Sequence, residues 1–72
     1  MQSTEKIVTL NGLTCRVWEG RTANGVPCHA YIPRIAVKEG LTGNEYAEFL
    51  LELQECAKPS ADVAAIPARI IL

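Results

Sequence analysis

The sequence predicts an α+β fold with the order β-β-β-α-β, and three observations carry this prediction. First, the pairs Asn11-Gly12 and Asn24-Gly25 separate three strand-like runs, and Asn-Gly between such runs is the strongest short-range hairpin signal. Second, a capping-box pattern precedes a stretch of helical periodicity. Third, a short apolar run rich in isoleucine follows the helix. We therefore expect a single domain over residues 1–72, in which an amphipathic helix packs on a three-stranded antiparallel meander and a C-terminal strand follows.

The meander is predicted over residues 6–38, and two-residue turns would fix the register of its strands. Four cross-strand pairs follow from that register: Leu10 with Leu13, Val8 with Cys15, Val17 with Ile32, and Trp18 with Tyr31. One face then collects Val8, Leu10, Leu13, Cys15, Val17, Ala30 and Ile32. The other face collects Ile7, Arg16, Trp18, His29, Tyr31, Pro33 and Ile35. Both faces carry apolar groups, so one of them needs a cover besides the helix.

Prolines mark the third strand as an edge strand. Pro27 and Pro33 have no N–H to donate to a ladder, so this strand is expected at the edge of the sheet or broken by a bulge near Pro33.

The helix is predicted over about residues 43–57. Thr42 is the expected N-cap and Glu45 the residue that reaches back to it. Lys58-Pro59 ends the helix, and the next residues, 60–65, fit either a turn or a short helix capped by Ser60. The last strand is expected over about residues 66–72. The apolar stripe that should lie on the sheet comprises Tyr46, Phe49, Leu50, Leu53 and Ala57.

Composition limits the class of protein. Nearly half of the 72 residues (49%) are hydrophobic, and a single core in so short a chain cannot cover them all, which predicts a dimer or larger homo-oligomer. The net charge of -1 disfavours a nucleic-acid binder. No secretory signal or membrane-spanning run is visible, so we expect a cytoplasmic protein with reduced cysteines.

Two groups of residues are candidate binding surfaces. Glu45, Glu48, Glu52 and Glu55 recur at spacings of three and four, which places them along one side of the helix. They form either a solvated face or a docking surface for a basic partner. The second group lies on the meander, where a stacked cross-strand aromatic pair would either stabilise the sheet or, with the nearby arginines, form an interface. This group comprises Arg16, Trp18, Tyr31 and Arg34.

No catalytic or metal site is predicted. Cys28 and His29 are adjacent on a strand, so their side chains should point to opposite faces and cannot act together. Zinc-ligand spacing and a Gly-rich phosphate loop are both missing from the sequence. We expect neither an enzyme nor a cofactor.

Four stretches carry a resemblance that spans most of the chain: Arg16-Val17-Trp18-Glu19-Gly20, Gly25-Val26-Pro27, residues 32–37 (IPRIAV) and residues 66–72 (IPARIIL). The pattern resembles small uncharacterised proteins encoded by phages and prophages of Gram-negative bacteria. The resemblance implies a setting in which very small proteins act by binding, for example by blocking a host enzyme or a defence complex.

The leading hypothesis is thus a phage-like interaction protein that binds and modulates or inhibits a host protein. One alternative is a small-ligand or nucleotide-binding module whose pocket forms between protomers. Another is a DNA-associated regulatory accessory protein, which the charge balance disfavours.

Overall fold

The computed structural model describes all 72 residues and has the predicted α+β architecture. Four strands form one sheet in the order β3-β2-β1-β4, in which the first three are antiparallel and β4 runs parallel to β1. A second helix, α2, follows the predicted one. The elements are β1 (Gln2–Leu10), β2 (Leu13–Arg21), β3 (Pro27–Ile32), α1 (Gly43–Gln54), α2 (Ala61–Ala64) and β4 (Arg69–Ile70).

The first hairpin has the predicted turn and register. Asn11 and Gly12 both have positive φ, 50° and 82°, as a two-residue turn that matches the twist of the strands requires. Leu10 therefore faces Leu13, and Val8 faces Cys15 two residues further on.

The register predicted for the second hairpin is wrong by one residue. The loop has three residues rather than two, because the Thr22 N–H donates to the Val26 carbonyl at 2.9 Å and Gly25 takes the positive φ of 83°. Trp18 consequently faces Ala30, not Tyr31. A shift of one residue moves every side chain of β3 to the opposite face.

The corrected register redistributes the apolar residues between the faces. Tyr31 now faces Val17 and lies on its side of the sheet, here called the Val17 face. Ala30 and Ile32, expected on that face, lie instead with Trp18 on the Trp18 face. The buried core lies on the Val17 face and comprises Val8, Cys15, Val17 and Val63, with Leu10, Tyr31, Ile66 and Ile70 packed against it.

Strand β3 is an edge strand, as its prolines predicted. It begins at Pro27 and ends one residue before Pro33, so it is shorter than the expected run to residue 38.

A bulge interrupts β1 between Ser3 and Ile7. Thr4 is fully buried there, and its hydroxyl donates to the Val17 carbonyl at 2.6 Å. The same hydroxyl accepts from the Lys6 N–H at 3.2 Å. The bulge thus ties β1 to the strand residue at the centre of the core.

The segment after α1 is fixed to this bulge. Ala57 forms a parallel bridge with Thr4. Its N–H donates to the Ser3 carbonyl at 2.9 Å, and its carbonyl accepts from the Glu5 N–H at 3.0 Å. Because Ala57 pairs with a strand, the helix cannot continue to residue 57 as predicted, and it ends at Gln54.

Helix α1 starts at the predicted capping box. The Glu45 N–H donates to the Thr42 hydroxyl at 3.2 Å, and the Thr42 N–H donates to the Glu45 carboxylate at 3.1 Å. The helix lies on the Trp18 face, but only part of its apolar stripe is covered. Phe49 and Leu53 are half-buried, and no residue of the helix is fully buried.

The opposite face is closed by α2 and the residues after it. The Ser60 hydroxyl caps α2 by accepting from the Val63 N–H at 3.3 Å, which confirms the short-helix alternative. Val63 is only 3% exposed. The last strand is two residues long rather than seven, and Ile70 pairs with Leu10 beside the core.

Neither α1 nor α2 has the length and apolar composition that a membrane-spanning helix requires.

Candidate functional site

The predicted site residues fall at different places in the fold. Arg16, Trp18 and Arg34 line one pocket on the Trp18 face. Tyr31 is not among them, because the register places it on the other face. Among the glutamates, Glu45 belongs to the helix cap, Glu48 is exposed, and Glu52 and Glu55 line a second pocket.

The first pocket, here called the arginine pocket, has a volume of about 240 Å³. Its polar side chains are two arginines and the indole of Trp18, which donate hydrogen bonds and cannot accept them. The remaining lining is apolar and comes from β3, the loop after it and α1: Ile32, Pro33, Ile35 and Leu53.

Arg16 is held in place by the bulge in β1. Its Nη1 donates to the Thr4 carbonyl at 2.7 Å, and the residue is half-buried. A guanidinium has five N–H donors, so this bond leaves others free. The bulge therefore fixes the side chain while its remaining donors stay available to the pocket.

The second pocket, here called the glutamate pocket, has a volume of about 400 Å³. It adjoins the arginine pocket, and both are lined by Trp18, Ile35 and Leu53. The charged groups at its far end are negative, because Glu52 and Glu55 lie there, whereas those of the arginine pocket are positive. Its remaining lining residues are Met1, Gln2, Ser3 and Phe49. The Trp18 face thus has an apolar centre between a basic end and an acidic end.

Trp18 connects the two pockets and has an unusual feature. Its Nε1 is buried and has no hydrogen-bond partner. A buried donor without a partner costs about 1–3 kcal/mol, so native structures contain few of them. The indole is therefore held in place by packing rather than by a polar contact.

A polar cluster that sequence reasoning missed lies on the Val17 face. His29 Nε2 is 3.1 Å from the Tyr31 hydroxyl, and the two rings meet edge to face at 5.3 Å. Glu19 faces His29 across the strands and accepts from the Ser60 N–H at 2.8 Å. The His29 and Tyr31 spacing of two was a usable signal, since alternate strand residues share a face. The position of Glu19 beside His29 could not be predicted in the same way, because it depends on the length of the loop between β2 and β3.

Hydrogen bonding shifts the acidity of Glu19. The bond from the Ser60 backbone N–H, together with one from its side chain, lowers the pKa of Glu19 below its ordinary value of 4.5. Desolvation opposes this shift, and the electrostatic interaction with His29 adds to it. Glu19 therefore joins β2 to the start of α2 most strongly when it is ionised.

The three cysteines are free thiols, and no group of three or more His, Cys, Asp or Glu side chains is placed to hold a metal ion. Comparison with protein-family models, curated proteins and solved structures found no significant match to this chain.

Proposed function

We propose that this chain is a small, phage-like interaction protein that self-associates and binds a host protein or defence complex, which it modulates or inhibits. The observation that carries the proposal is the exposed apolar and acidic surface of α1. The phage setting rests on the sequence resemblance, and the binding role rests on the surface described next.

The chain exposes more surface than its size predicts. Its accessible surface is 5582 Å², whereas a folded chain of 7.8 kDa should expose about 4,400 Å². A typical specific interface removes about 800 Å² from each partner. One interface of ordinary size would account for most of the excess.

Much of the exposed apolar surface belongs to α1. Tyr46, Leu50 and Leu51 are 49%, 40% and 63% exposed. The helix carries acidic residues on an adjacent side and has no basic residue. A surface of this kind fits a partner that presents apolar side chains ringed by lysine or arginine.

The proposal can be tested by capture from a lysate of a Gram-negative bacterium with paired variants. Leu51→Ser should abolish capture of the same partner that the unmodified chain retains, and capture should weaken as salt increases. Leu13→Ser is the matched control, because Leu13 is 51% exposed but lies on β2, away from α1. Equal loss in both variants, or retention in both, would contradict docking through α1.

Self-association needs a separate measurement, namely the solution mass of the chain with a Trp18→Ala variant alongside. A mass above 7.8 kDa that falls in the variant would support an oligomer formed through the Trp18 face. A monomeric unmodified chain contradicts self-association, and an unchanged oligomer in the variant moves the interface to another surface.

A further inference from the structure

We propose that the arginine pocket binds a small carboxylic acid with an apolar body, with the carboxylate beside Arg16 and Arg34 and the body over Trp18, Ile35 and Leu53. This site is distinct from the exposed side of α1 and does not depend on a protein partner.

The charged groups of the pocket decide the charge of the ligand. Its charged lining side chains are Arg16 and Arg34, which donate hydrogen bonds and cannot accept them, whereas Nε1 of Trp18 is buried and not accessible to a ligand. A ligand that donates hydrogen bonds would find no acceptor among them, and a cation would be repelled by both guanidinium groups. An anion with acceptor oxygens meets both requirements, and a planar carboxylate matches the fork of an arginine.

Arg16 is prepared for this role before any ligand arrives. Its bond to the Thr4 carbonyl fixes the guanidinium at the pocket. A side chain that is already ordered loses less conformational freedom on binding, so each new hydrogen bond contributes more to affinity.

The apolar lining of the pocket determines the uncharged body of the ligand. Four of the seven lining residues are apolar, so a fully hydrated anion such as phosphate would contact mostly hydrocarbon. The adjoining glutamate pocket provides further apolar surface from Phe49, while Glu52 and Glu55 at its end repel negative charge. The anionic group is therefore directed to the arginine end and the apolar body to the shared centre. Together the two pockets fall within the roughly 300–1,000 Å³ range of small-ligand sites.

The fluorescence of Trp18 tests the assignment directly, because Trp18 is the only tryptophan in the chain. We would titrate the full chain with cyclohexanecarboxylate, which does not absorb at the excitation wavelength. The neutral cyclohexanecarboxamide, which has the same shape, and inorganic phosphate serve as parallel probes. A saturable change with the carboxylate at millimolar or lower concentration is expected, with at least about tenfold weaker responses to the amide and to phosphate.

Variants connect the signal to the pocket. Arg34→Gln should weaken carboxylate binding about tenfold or more. Arg34 is exposed, so this variant should fold, which far-UV circular dichroism would check. Arg69→Gln removes the same charge from β4 at the opposite edge of the sheet and should leave binding unchanged.

The proposal would be overturned by no saturable response to the carboxylate, by an equal response to the amide, or by equal weakening by Arg34→Gln and Arg69→Gln. A response to phosphate as strong as that to the carboxylate would also overturn it, since the apolar body would then be irrelevant. None of these readouts involves a captured protein, and the solution mass at the titration concentration shows whether self-association through the Trp18 face covers the pocket. Failure here is therefore distinguishable from failure of the proposed function.

Discussion

The two faces of the sheet differ in how completely they are covered, and helix length does not explain the difference. The Val17 face is closed by the four-residue helix α2 and the residues after it, and Val63 of that helix is almost fully buried. The Trp18 face has the twelve-residue helix α1, which buries none of its residues fully. A short element in the right position therefore contributes more to the core than a long one turned partly away.

The contrast follows from where each helix is attached to the sheet. Helix α2 is tied to β2 at its start, where the Ser60 N–H donates to Glu19, and its following residues reach β1. Helix α1 is tied to the sheet only after its end, where Ala57 pairs with the bulge in β1. We therefore expect stability to depend mainly on the Val17 face, whereas the Trp18 face carries the proposed ligand site.

The largest effect is expected from Val17→Ala. Val17 is 0% exposed, and removal of two buried carbon atoms with the resulting cavity should cost about 2–3 kcal/mol. A domain of this size has only about 3–5 kcal/mol of net stability, so the variant should lose about half of it or more. Urea denaturation followed by circular dichroism measures the loss. If Val17→Ala cost less unfolding free energy than Ile35→Ala on the Trp18 face, the Val17 face would not be the main source of stability.

Thr4→Val should have the next largest effect. The change keeps the shape of the side chain but removes the hydroxyl that donates to the Val17 carbonyl and accepts from the Lys6 N–H. Leaving these buried groups without partners should cost about 1–3 kcal/mol. Thr14→Val, at an exposed position of β2, is the control and should be nearly neutral in the same denaturation experiment. Equal stability of the two variants would show that the bulge does not support the core.

A smaller effect is expected from pH, through Glu19. Its pKa is lower in the folded chain than in the unfolded one, chiefly because the Ser60 backbone N–H donates to its carboxylate. The resulting stabilisation is therefore fully present above the ordinary value of 4.5 and is lost as pH falls through the lower folded value. Urea midpoints measured from neutral pH into this acidic range should fall less steeply for Glu19→Gln than for the unmodified chain. If the two chains lost stability with pH in parallel, Glu19 would not help to hold α2 on the Val17 face.

The smallest effect on stability is expected from Leu50→Ala. This substitution removes more carbon atoms than Val17→Ala, yet Leu50 is 40% exposed and should change the free energy of unfolding by only about 0.5 kcal/mol. Thermal unfolding at one protein concentration measures it. A loss as large as that of Val17→Ala would mean that α1 is covered in solution, as in an oligomer that dissociates when the chain unfolds.

The sequence was sufficient for the parts of the fold that local signals determine. The turn at Asn11-Gly12, the register of the first hairpin, the capping box at Thr42 and the edge position of β3 all follow from short-range chemistry. The second register was wrong because Asn24-Gly25 is compatible with both a two-residue and a three-residue loop. The hydrogen bond from Thr22 to Val26 distinguishes them only in the folded structure.

The candidate site could be predicted only in part. Arg16 and Trp18 are two residues apart on one strand, so their shared face was predictable, and Arg34 follows the neighbouring strand. Tyr31 was assigned to this group by the incorrect register. The anchoring of Arg16 depends on a bulge that no turn residue marks, and the exposure of Tyr46 and Leu50 depends on where the chain after α1 is attached.

Pro27 and Pro33, at the start of β3 and just after its end, affect how copies of this protein can assemble. The bond between Thr22 and Val26 sets the alternation of the ladder, so the backbones of Pro27, His29, Tyr31 and Pro33 face the open edge. Two of these four positions have no N–H to offer. An incoming strand would find donors only at His29 and Tyr31, too few for continuous cross-β stacking. The sheet is thereby protected from fibril growth at this edge.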